Sequence, residues 1–211
     1  MKSFFYTLGW STTYILSLII RHGISTNDEI ILILPKVRDE QAEKAILDVK
    51  SIASQLGTLS VKELTLDIKD IPRSVMMMIE ELNRRKDKVC IVNLSGGMRI
   101  LVIITYLACI LSKNDNIIVE METEDRELVT QLPLLKFKFE EFIPAMALEI
   151  LRKSIEIGDS KGLREYFNLP PSTFHNYLIL LEKAKLINRE RKGKSYNIIP
   201  TQLGRIIATS S

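Results

Sequence analysis

The sequence predicts an α/β domain with a Rossmann-like parallel sheet sandwich, followed by a smaller, mainly α domain. Three observations support this. Short β-rich runs alternate with amphipathic helical patterns through the first two thirds of the chain, the apolar period becomes helical after Pro144, and basic residues concentrate in the last third. Residues 1–143 carry 18 basic and 20 acidic side chains, whereas residues 144–211 carry 11 and 6. Two domains with different partners are therefore expected within the 211 residues.

Five strands of the first domain are predicted from short runs of aliphatic and β-branched residues. The clearest run contains five consecutive isoleucine and leucine residues, a pattern typical of a strand buried on both faces of a sheet. The predicted strands are residues 4–8, 29–34, 59–66, 89–94 and 117–121.

Four helices are predicted between these strands. In residues 39–56 the apolar positions recur at i+3 and i+4, and Gly57 follows as a stop signal. The predicted helices are residues 12–21, 39–56, 71–85 and 98–111. Residues 128–143 are predicted as a strand-rich connector, so the first domain spans residues 1–127 and the second spans residues 144–211.

The second domain is predicted to hold three helices, a β-hairpin and a terminal helix. Phe174, Leu178 and Leu181 follow the i, i+4, i+7 spacing of a buried helix face, and two strand-like runs flank a basic turn at residues 192–194. Three helices followed by a charged hairpin form a winged helix-turn-helix. The stretch from Leu178 to Gly204 resembles the MarR and ArsR classes of winged-helix transcription regulators.

That resemblance implies DNA binding by the third helix and the hairpin. Polar side chains at the start of the helix would contact base edges or phosphates, and basic side chains of the hairpin would meet the DNA backbone or an adjacent minor groove. The implied contacts on the helix are Ser172, Thr173, His175, Asn176 and Tyr177, and those on the hairpin are Arg189, Arg191, Lys192 and Lys194. The alternative is a protein-docking module with a solvated hairpin.

Two loops rich in small and polar residues follow the first and fourth predicted strands, at the sheet edge where open α/β sheets bind ligands. Consecutive glycines let a backbone approach a ligand closely, the following helix N-terminus favours an anion, and Arg99 can bind a phosphate in bidentate fashion. The candidate ligand residues are Gly9, Trp10, Ser11 and Thr12 in the first loop, and Ser95, Gly96, Gly97, Met98 and Arg99 in the second.

The two loops lack both the Gly-x-Gly-x-x-Gly and the Gly-x-x-x-x-Gly-Lys-Ser/Thr patterns, which disfavours NAD and nucleoside triphosphates as ligands. No cofactor is therefore expected. Taken alone, the Ser-Gly-Gly sequence is equally consistent with a tight strand-to-helix turn beside a solvated arginine.

A Rossmann-like domain with these two loops, joined to a winged helix, resembles the CRISPR-associated CARF-domain transcriptional regulators of the archaeal Csa type. The resemblance covers the whole chain. It implies a homodimer that binds a cyclic oligoadenylate, often cyclic tetraadenylate, across its two-fold axis through the two loops. A ring of four identical nucleotides contains a two-fold axis, so it can present the same half to each subunit. Trp10 would either stack on adenine or belong to the core.

Some relatives in the wider family cleave their ring nucleotide, and Ser11 and Arg99 are the residue types that this reaction needs. The two histidines, His22 and His175, are predicted to lie away from the loops, so no catalytic residue is assigned. The acidic residues between 120 and 125 lack the spacing of a metal site and are expected to form a solvated loop. A regulator is the preferred function; a ring nuclease and a regulator that senses another phosphorylated small molecule remain alternatives.

Both cysteines, Cys90 and Cys109, lie in apolar surroundings, where a thiol usually behaves as a small buried hydrophobe. The absence of a disulfide framework fits a reducing cytoplasm. The longest apolar stretch outside the N-terminus, near residues 100–111, is far shorter than the roughly 20 residues of a membrane-spanning helix. A cytoplasmic protein without a membrane partner is therefore expected.

Overall fold

The computed structural model describes residues 1–57, 60–134, 141–193 and 195–210. By the clustering of its contacts the chain divides into two compact units, Met1–Lys136 and Phe137–Ser211. Within the described ranges, no helix is long and apolar enough to span a membrane.

The first unit contains a six-stranded sheet with the strand order β3-β2-β1-β4-β5-β6. Strands β1 to β5 are parallel, and β6 pairs antiparallel with β5. The strands are β1 Lys2–Thr7, β2 Glu29–Pro35, β3 Ser60–Leu66, β4 Val89–Asn93, β5 Ile117–Glu122 and β6 Val129–Leu132. The strand order reverses beside β1, because the chain first extends the sheet through β2 and β3 and then returns to place β4 on the other side.

The helices of this unit cover both faces of the sheet. Crossovers between parallel strands are right-handed, and the chain crosses the sheet in one direction from β1 to β3 and in the other direction from β3 to β5. Helices α1 and α2 therefore lie on one face, and α3 and α4 on the other. Apolar residues of α1 and α2 form one buried cluster with Phe4 and Tyr6, whereas α3 and α4 pack against each other. The helices are α1 Thr13–His22, α2 Glu40–Gln55, α3 Ile71–Asn83 and α4 Arg99–Leu111. The predicted Rossmann-like fold class is thus confirmed.

The edge strand β6 falls within residues 128–143, which are predicted as a strand-rich connector. It continues the sheet, with Glu122 opposite Val129 in an antiparallel pair closed by a short turn. Most of its residues are exposed. An exposed edge strand of four residues lacks the apolar alternation that would have assigned it to the sheet from sequence. The remainder of the connector includes residues 135–140, which lie outside the described residues.

The second unit has the predicted order of three helices, a two-stranded hairpin and a terminal helix. Phe174, Leu178 and Leu181 are buried in one cluster with Leu148 and Ile198, as their spacing predicts. The elements are α5 Ala145–Ile157, α6 Ser160–Tyr166, α7 Pro171–Lys183, β7 Ile187–Lys192, β8 Ser195–Pro200 and α8 Gln202–Ser210.

Candidate functional site

A cavity of about 730 Å³ opens at the edge of the first unit's sheet where the parallel strands end. Three loops enclose it, one after each of β1, β2 and β4. Its lining residues are Leu8, Gly9, Trp10, Ser11, Tyr14, Pro35, Val37, Arg38, Asp39, Ala42, Ser95, Gly96, Gly97 and Met98. This edge, beside the point where the strand order reverses, is the usual position of ligand sites in open α/β sheets.

The structure brings most of the predicted ligand residues together and leaves two of them outside the cavity lining. Seven of the nine line the cavity: Gly9, Trp10, Ser11, Ser95, Gly96, Gly97 and Met98. Thr12 lies at the N-cap of α1, and Arg99 is the exposed first residue of α4.

The loop between β2 and α2, which the sequence analysis missed, forms the third wall of the cavity. It contributes Val37, Arg38 and Asp39, next to Pro35 at the end of β2. The signal was available, because β2 lies next to β1 and the loop after it must reach the same edge of a parallel sheet. Arg38 is not a free cation, since its guanidinium donates to Glu63 at 2.8 Å.

The glycines allow the first and second loops to pack in direct contact. A Cβ atom on Gly96 would lie 2.6 Å from the carbonyl oxygen of Thr7, and one on Gly9 would lie 2.9 Å from the amide nitrogen of Gly97. The Thr7 hydroxyl donates to the Gly96 carbonyl oxygen at 2.7 Å. Gly97 also has a φ of +79°, in the left-handed region that favours glycine. Loop packing therefore requires these glycines whether or not a ligand is bound.

Two helices begin beside the cavity without a side-chain cap. Neither α1 nor α4 has a capping side chain at its N-terminus or an acidic residue in its first turn. In contrast, Asp39 caps α2 and Asp70 caps α3. The amide of Thr13 is partly satisfied by the Ser11 hydroxyl oxygen at 3.3 Å. The partial positive charges of α1 and α4 are thus available to an anion at the cavity.

Trp10 is held at the rim of the cavity and is not part of the core. Its side chain is 70% exposed, and its indole N–H donates to Asp39 Oδ2 at 3.1 Å. The other oxygen of that carboxylate accepts from the Ala42 amide at 2.8 Å. The core alternative for Trp10 is therefore wrong. An exposed indole with a fixed orientation is the arrangement that suits stacking on a planar ligand.

A buried carboxylate is connected to the second loop by hydrogen bonds. Glu120 is almost fully buried and accepts hydrogen bonds from Arg21, from His22 at 2.8 Å and from Asn93 at 3.2 Å. Burial alone would raise the pKa of Glu120, but these hydrogen bonds outweigh it and lower the pKa below its usual value. The Asn93 side-chain oxygen in turn accepts from the Ser95 amide at 3.0 Å, which links the loop to the buried charge.

The prediction of a solvated acidic loop is correct for Glu124 and Asp125, which are exposed, and wrong for Glu120 and Glu122, which are buried. The reason is tertiary. These two glutamates lie at the end of a sheet strand, where Arg21 from α1 forms ion pairs with both. No sequence spacing connects Arg21 to residues a hundred positions later.

In the second unit, the predicted DNA contacts on α7 differ in exposure. Ser172, His175 and Asn176 are exposed, whereas Thr173 and Tyr177 are half-buried. Tyr177 packs against the core cluster of the unit.

The hairpin carries both paired and exposed cations. Arg191 is exposed. Arg189 forms an ion pair with Glu182, and its guanidinium lies 5.7 Å from the centre of the Tyr196 ring. Lys194 and the side chain of Lys192 lie outside the described part of the structure.

A second cavity, of about 510 Å³, lies between α6, α7 and the hairpin. Lys161 and Arg164 of α6 line it, and the sequence analysis missed both. With His175 and Arg189 on the other walls, the lining is rich in basic groups. Such a concave basic surface suits the phosphate backbone of a nucleic acid.

Comparisons with known proteins place the first unit in a family. The model of the Csa3 CRISPR-associated Rossmann-like domain matches residues 2–133. Among solved structures, protein VC1899 from Vibrio cholerae resembles the chain with a TM-score of 0.50 at 11% sequence identity. That alignment covers 99% of this chain and 64% of VC1899, so the chain spans less than two thirds of that protein's length. At this identity the likeness concerns the fold alone. No curated protein sequence matches the chain.

Proposed function

The chain belongs to the family of CRISPR-associated proteins that share the Csa3 Rossmann-like domain, a CARF domain, and from this premise we propose that it is a transcriptional regulator controlled by a cyclic oligoadenylate. The first unit binds the ring nucleotide, with cyclic tetraadenylate as the expected ligand. The second unit binds DNA. No catalytic step is assigned to the protein.

The observation that carries the ligand half of this proposal is that the 730 Å³ cavity is lined by two kinds of group, one suited to phosphates and the other to a planar apolar group. The loops that hold Ser11 and Gly96 lie at the start of two uncapped helices, which favours phosphate groups. The lining also includes the exposed indole of Trp10 together with Pro35 and Val37, which favours a planar apolar group. A nucleotide contains both groups, and repeated nucleotides in a ring contain them at regular spacing.

The outer face of α4 supports a homodimer. This helix is apolar almost all round, and its outer side carries Ile103 at 60% exposure together with half-buried Val102, Tyr106 and Ile110. A helix that is apolar on both sides needs a partner on each of them. Because Met98, the N-cap of α4, lies in the cavity wall, a second copy docked on this face would bring its own cavity close, and both could contact one two-fold symmetric ring.

The order of elements in the second unit supports the DNA-binding half. Helices α5 to α7 followed by the hairpin β7–β8 have the element order of a winged helix-turn-helix. Exposed Ser172, His175 and Asn176 at the start of α7 are able to hydrogen-bond base edges. Exposed Arg191 on the hairpin is able to contact phosphates.

Titration with cyclic tetraadenylate tests the ligand half. Trp10 is the sole tryptophan of the sequence, so its fluorescence reports on the cavity, and calorimetry gives the stoichiometry. We expect one intact ring bound per two chains, and weaker binding of linear tetraadenylate. Absence of any signal with either nucleotide would overturn the proposal. Recovery of cut nucleotide would favour the ring-nuclease alternative.

Salt-dependent DNA binding tests the second half. Arg191→Ala should weaken binding to all DNA sequences about equally and reduce the slope of log affinity against log salt by about one. Arg152→Ala removes the same charge from α5, where it is paired with Glu149, and serves as the matched control. An unchanged slope in the Arg191 variant would exclude the hairpin from the DNA interface.

A further inference from the structure

We infer that Arg126, in the turn between β5 and β6, is a further ligand-binding residue that supplies a phosphate contact at the rim of the cavity. This inference rests on the proposed function, because it concerns the same anionic ligand. Arg126 belongs to neither of the two loops identified from the sequence.

The turn that carries Arg126 is connected to both loops. It follows Glu122, whose amide donates to the Ser95 hydroxyl oxygen of the second loop at 2.8 Å. The Arg126 guanidinium then lies 5.9 Å from the centre of the Tyr14 ring. Tyr14 lines the cavity on the first turn of α1, immediately after the first loop. Arg126 thus lies beside a cavity-lining residue of α1, on a turn attached to the second loop.

The charge of Arg126 is available to a ligand. Its side chain is exposed, and among the described residues no carboxylate forms an ion pair with it. Three other arginines of the same unit are engaged: Arg21 pairs with Glu120, Arg38 with Glu63 and Arg85 with Glu29. An exposed guanidinium offers the planar set of donors that binds phosphate best.

The geometry of the turn does not explain why an arginine occupies this position. Arg126 has a φ of +64°, a left-handed conformation that glycine and asparagine adopt more readily. The turn is held by groups other than its side chain: Thr123 and Leu128 bond through their backbones at 2.9 Å, and the Asp125 carboxylate accepts from the Glu127 amide at 3.1 Å. An unfavourable residue in a turn that does not use its side chain points to a role outside the turn.

Arg126 also offsets the charge of its neighbours. Glu124, Asp125 and Glu127 are all exposed in the same turn. Without Arg126 this turn would present three negative charges beside the cavity and repel an anionic ligand. The ligand would then lose a charge-assisted hydrogen bond and meet an unscreened acidic turn. Neutralising one of the acids should have the opposite effect and strengthen ligand binding modestly, at low salt above all.

The test compares Arg126→Asn with the wild-type protein. Asparagine tolerates the left-handed conformation and removes the charge, so the variant should fold with an unchanged or slightly higher Tm. Its affinity for cyclic tetraadenylate, measured by Trp10 fluorescence, should fall by roughly tenfold or more. Glu127→Gln should raise the affinity by a few fold. Lys86→Asn removes an exposed cation before β4, at the opposite edge of the sheet, and should leave the affinity unchanged.

The outcomes separate this inference from the proposed function. If the wild-type protein binds no adenylate ring, the proposed function is overturned, and the role of Arg126 with it. If the wild-type protein binds and Arg126→Asn binds equally well, the ligand site stands and the role of Arg126 is overturned. A variant whose Tm falls while the affinity of its folded fraction is unchanged would identify Arg126 as a structural residue, which also overturns the inference.

Discussion

The polar groups at the two edges of the parallel sheet differ in whether they are paired within the protein. At the edge where the strands begin, Glu29 is buried and accepts hydrogen bonds at 2.8 Å from Ser3, Lys62, Arg85 and Lys88. Beside it, the Asp28 carboxylate accepts from the Lys2 and Ser25 amides. These charges are occupied within the fold, so they contribute to stability and offer little to a ligand.

At the edge where the strands end, groups suited to binding are exposed. The Trp10 indole is mostly exposed, Arg99 and Arg126 are exposed, and two helices begin without side-chain caps. The same strands supply both edges, so the difference arises from the loops and helix ends. A group whose partners lie within the chain stabilises the fold, whereas one without such partners is able to bind a ligand.

The largest expected effect is a loss of stability at the edge where the strands begin. Glu29→Ala would leave a buried arginine, a half-buried lysine and an exposed lysine without their shared partner, and it should lower the free energy of unfolding of the first unit by about 3–5 kcal/mol, mainly through the buried Arg85. Glu43→Ala, which removes an exposed carboxylate 3.5 Å from Arg38, is the matched control and should cost about 0.5 kcal/mol or less. Urea unfolding measures the free energy of unfolding of both variants. Equal losses in the two variants would contradict the stabilising role of the paired charges at the edge where the strands begin.

Acid should lower the stability of the first unit through the same carboxylate, at the edge where the strands begin. Burial alone would raise the pKa of Glu29, but the hydrogen bonds from Arg85, Lys62, Lys88 and Ser3 hold it far below its usual value near 4.5. A carboxylate with a lowered pKa in the folded state contributes its stability in full above the unfolded pKa. That contribution is lost as the pH falls below about 4.5. Urea midpoints measured from neutral pH downward should fall, and less steeply in Glu29→Gln; parallel curves would assign the acid sensitivity to other groups.

Gly96→Ala tests whether the loops at the edge where the strands end depend on close packing. The added methyl group would lie 2.6 Å from a backbone oxygen, which cannot move aside as a flexible side chain can. We expect a loss of about 1–3 kcal/mol in stability together with loss of nucleotide binding. Gly193→Ala, at the hairpin turn of the other unit, provides the contrast: its φ of +61° strains an alanine but nothing lies within 4 Å, so this variant measures backbone strain without crowding. A Gly96 variant as stable as the wild-type protein would contradict the loop packing.

Trp10→Ala should have the smallest effect on stability and should separate binding from folding. Because the indole is mostly exposed, the free energy of unfolding should change by less than about 0.5 kcal/mol. Loss of a stacked base should weaken cyclic tetraadenylate binding by about 1–3 kcal/mol, measured by calorimetry because the fluorophore is absent. Trp10→Phe should recover part of the affinity. Unchanged affinity in the alanine variant would exclude stacking as the role of this side chain.

The helices and buried strands of the first unit were predictable because their signals are local. Asp39 before α2 and Gly57 after it mark the ends of a helix whose apolar face recurs every three or four residues. For β6 the sequence predicts only a strand-rich connector and not a sixth strand of the sheet, since its four residues pair with β5 through backbone bonds and bury little apolar surface.

The candidate site was predictable in two of its three walls. Glycines and small polar residues after β1 and β4 identify the loops, and parallel strands bring their ends together. The third wall, at Asp39, reads in sequence as an ordinary helix cap, and it is one. Its second role, as the acceptor for the Trp10 indole 29 residues away, depends on a contact that no local pattern encodes.

By itself, the sequence determined the order of strands and helices, the change of character after the first domain, and the two loops at the ends of β1 and β4. These features depend on residues that are close together in the chain. Only the tertiary structure decided which charges are neutralised and which stay free. Arg21 and Arg126 are both arginines near acidic residues in the folded unit. One is bound to two buried glutamates, and the other is exposed beside the cavity. The distinction depends on distances between groups that are far apart in sequence, which only the folded chain specifies.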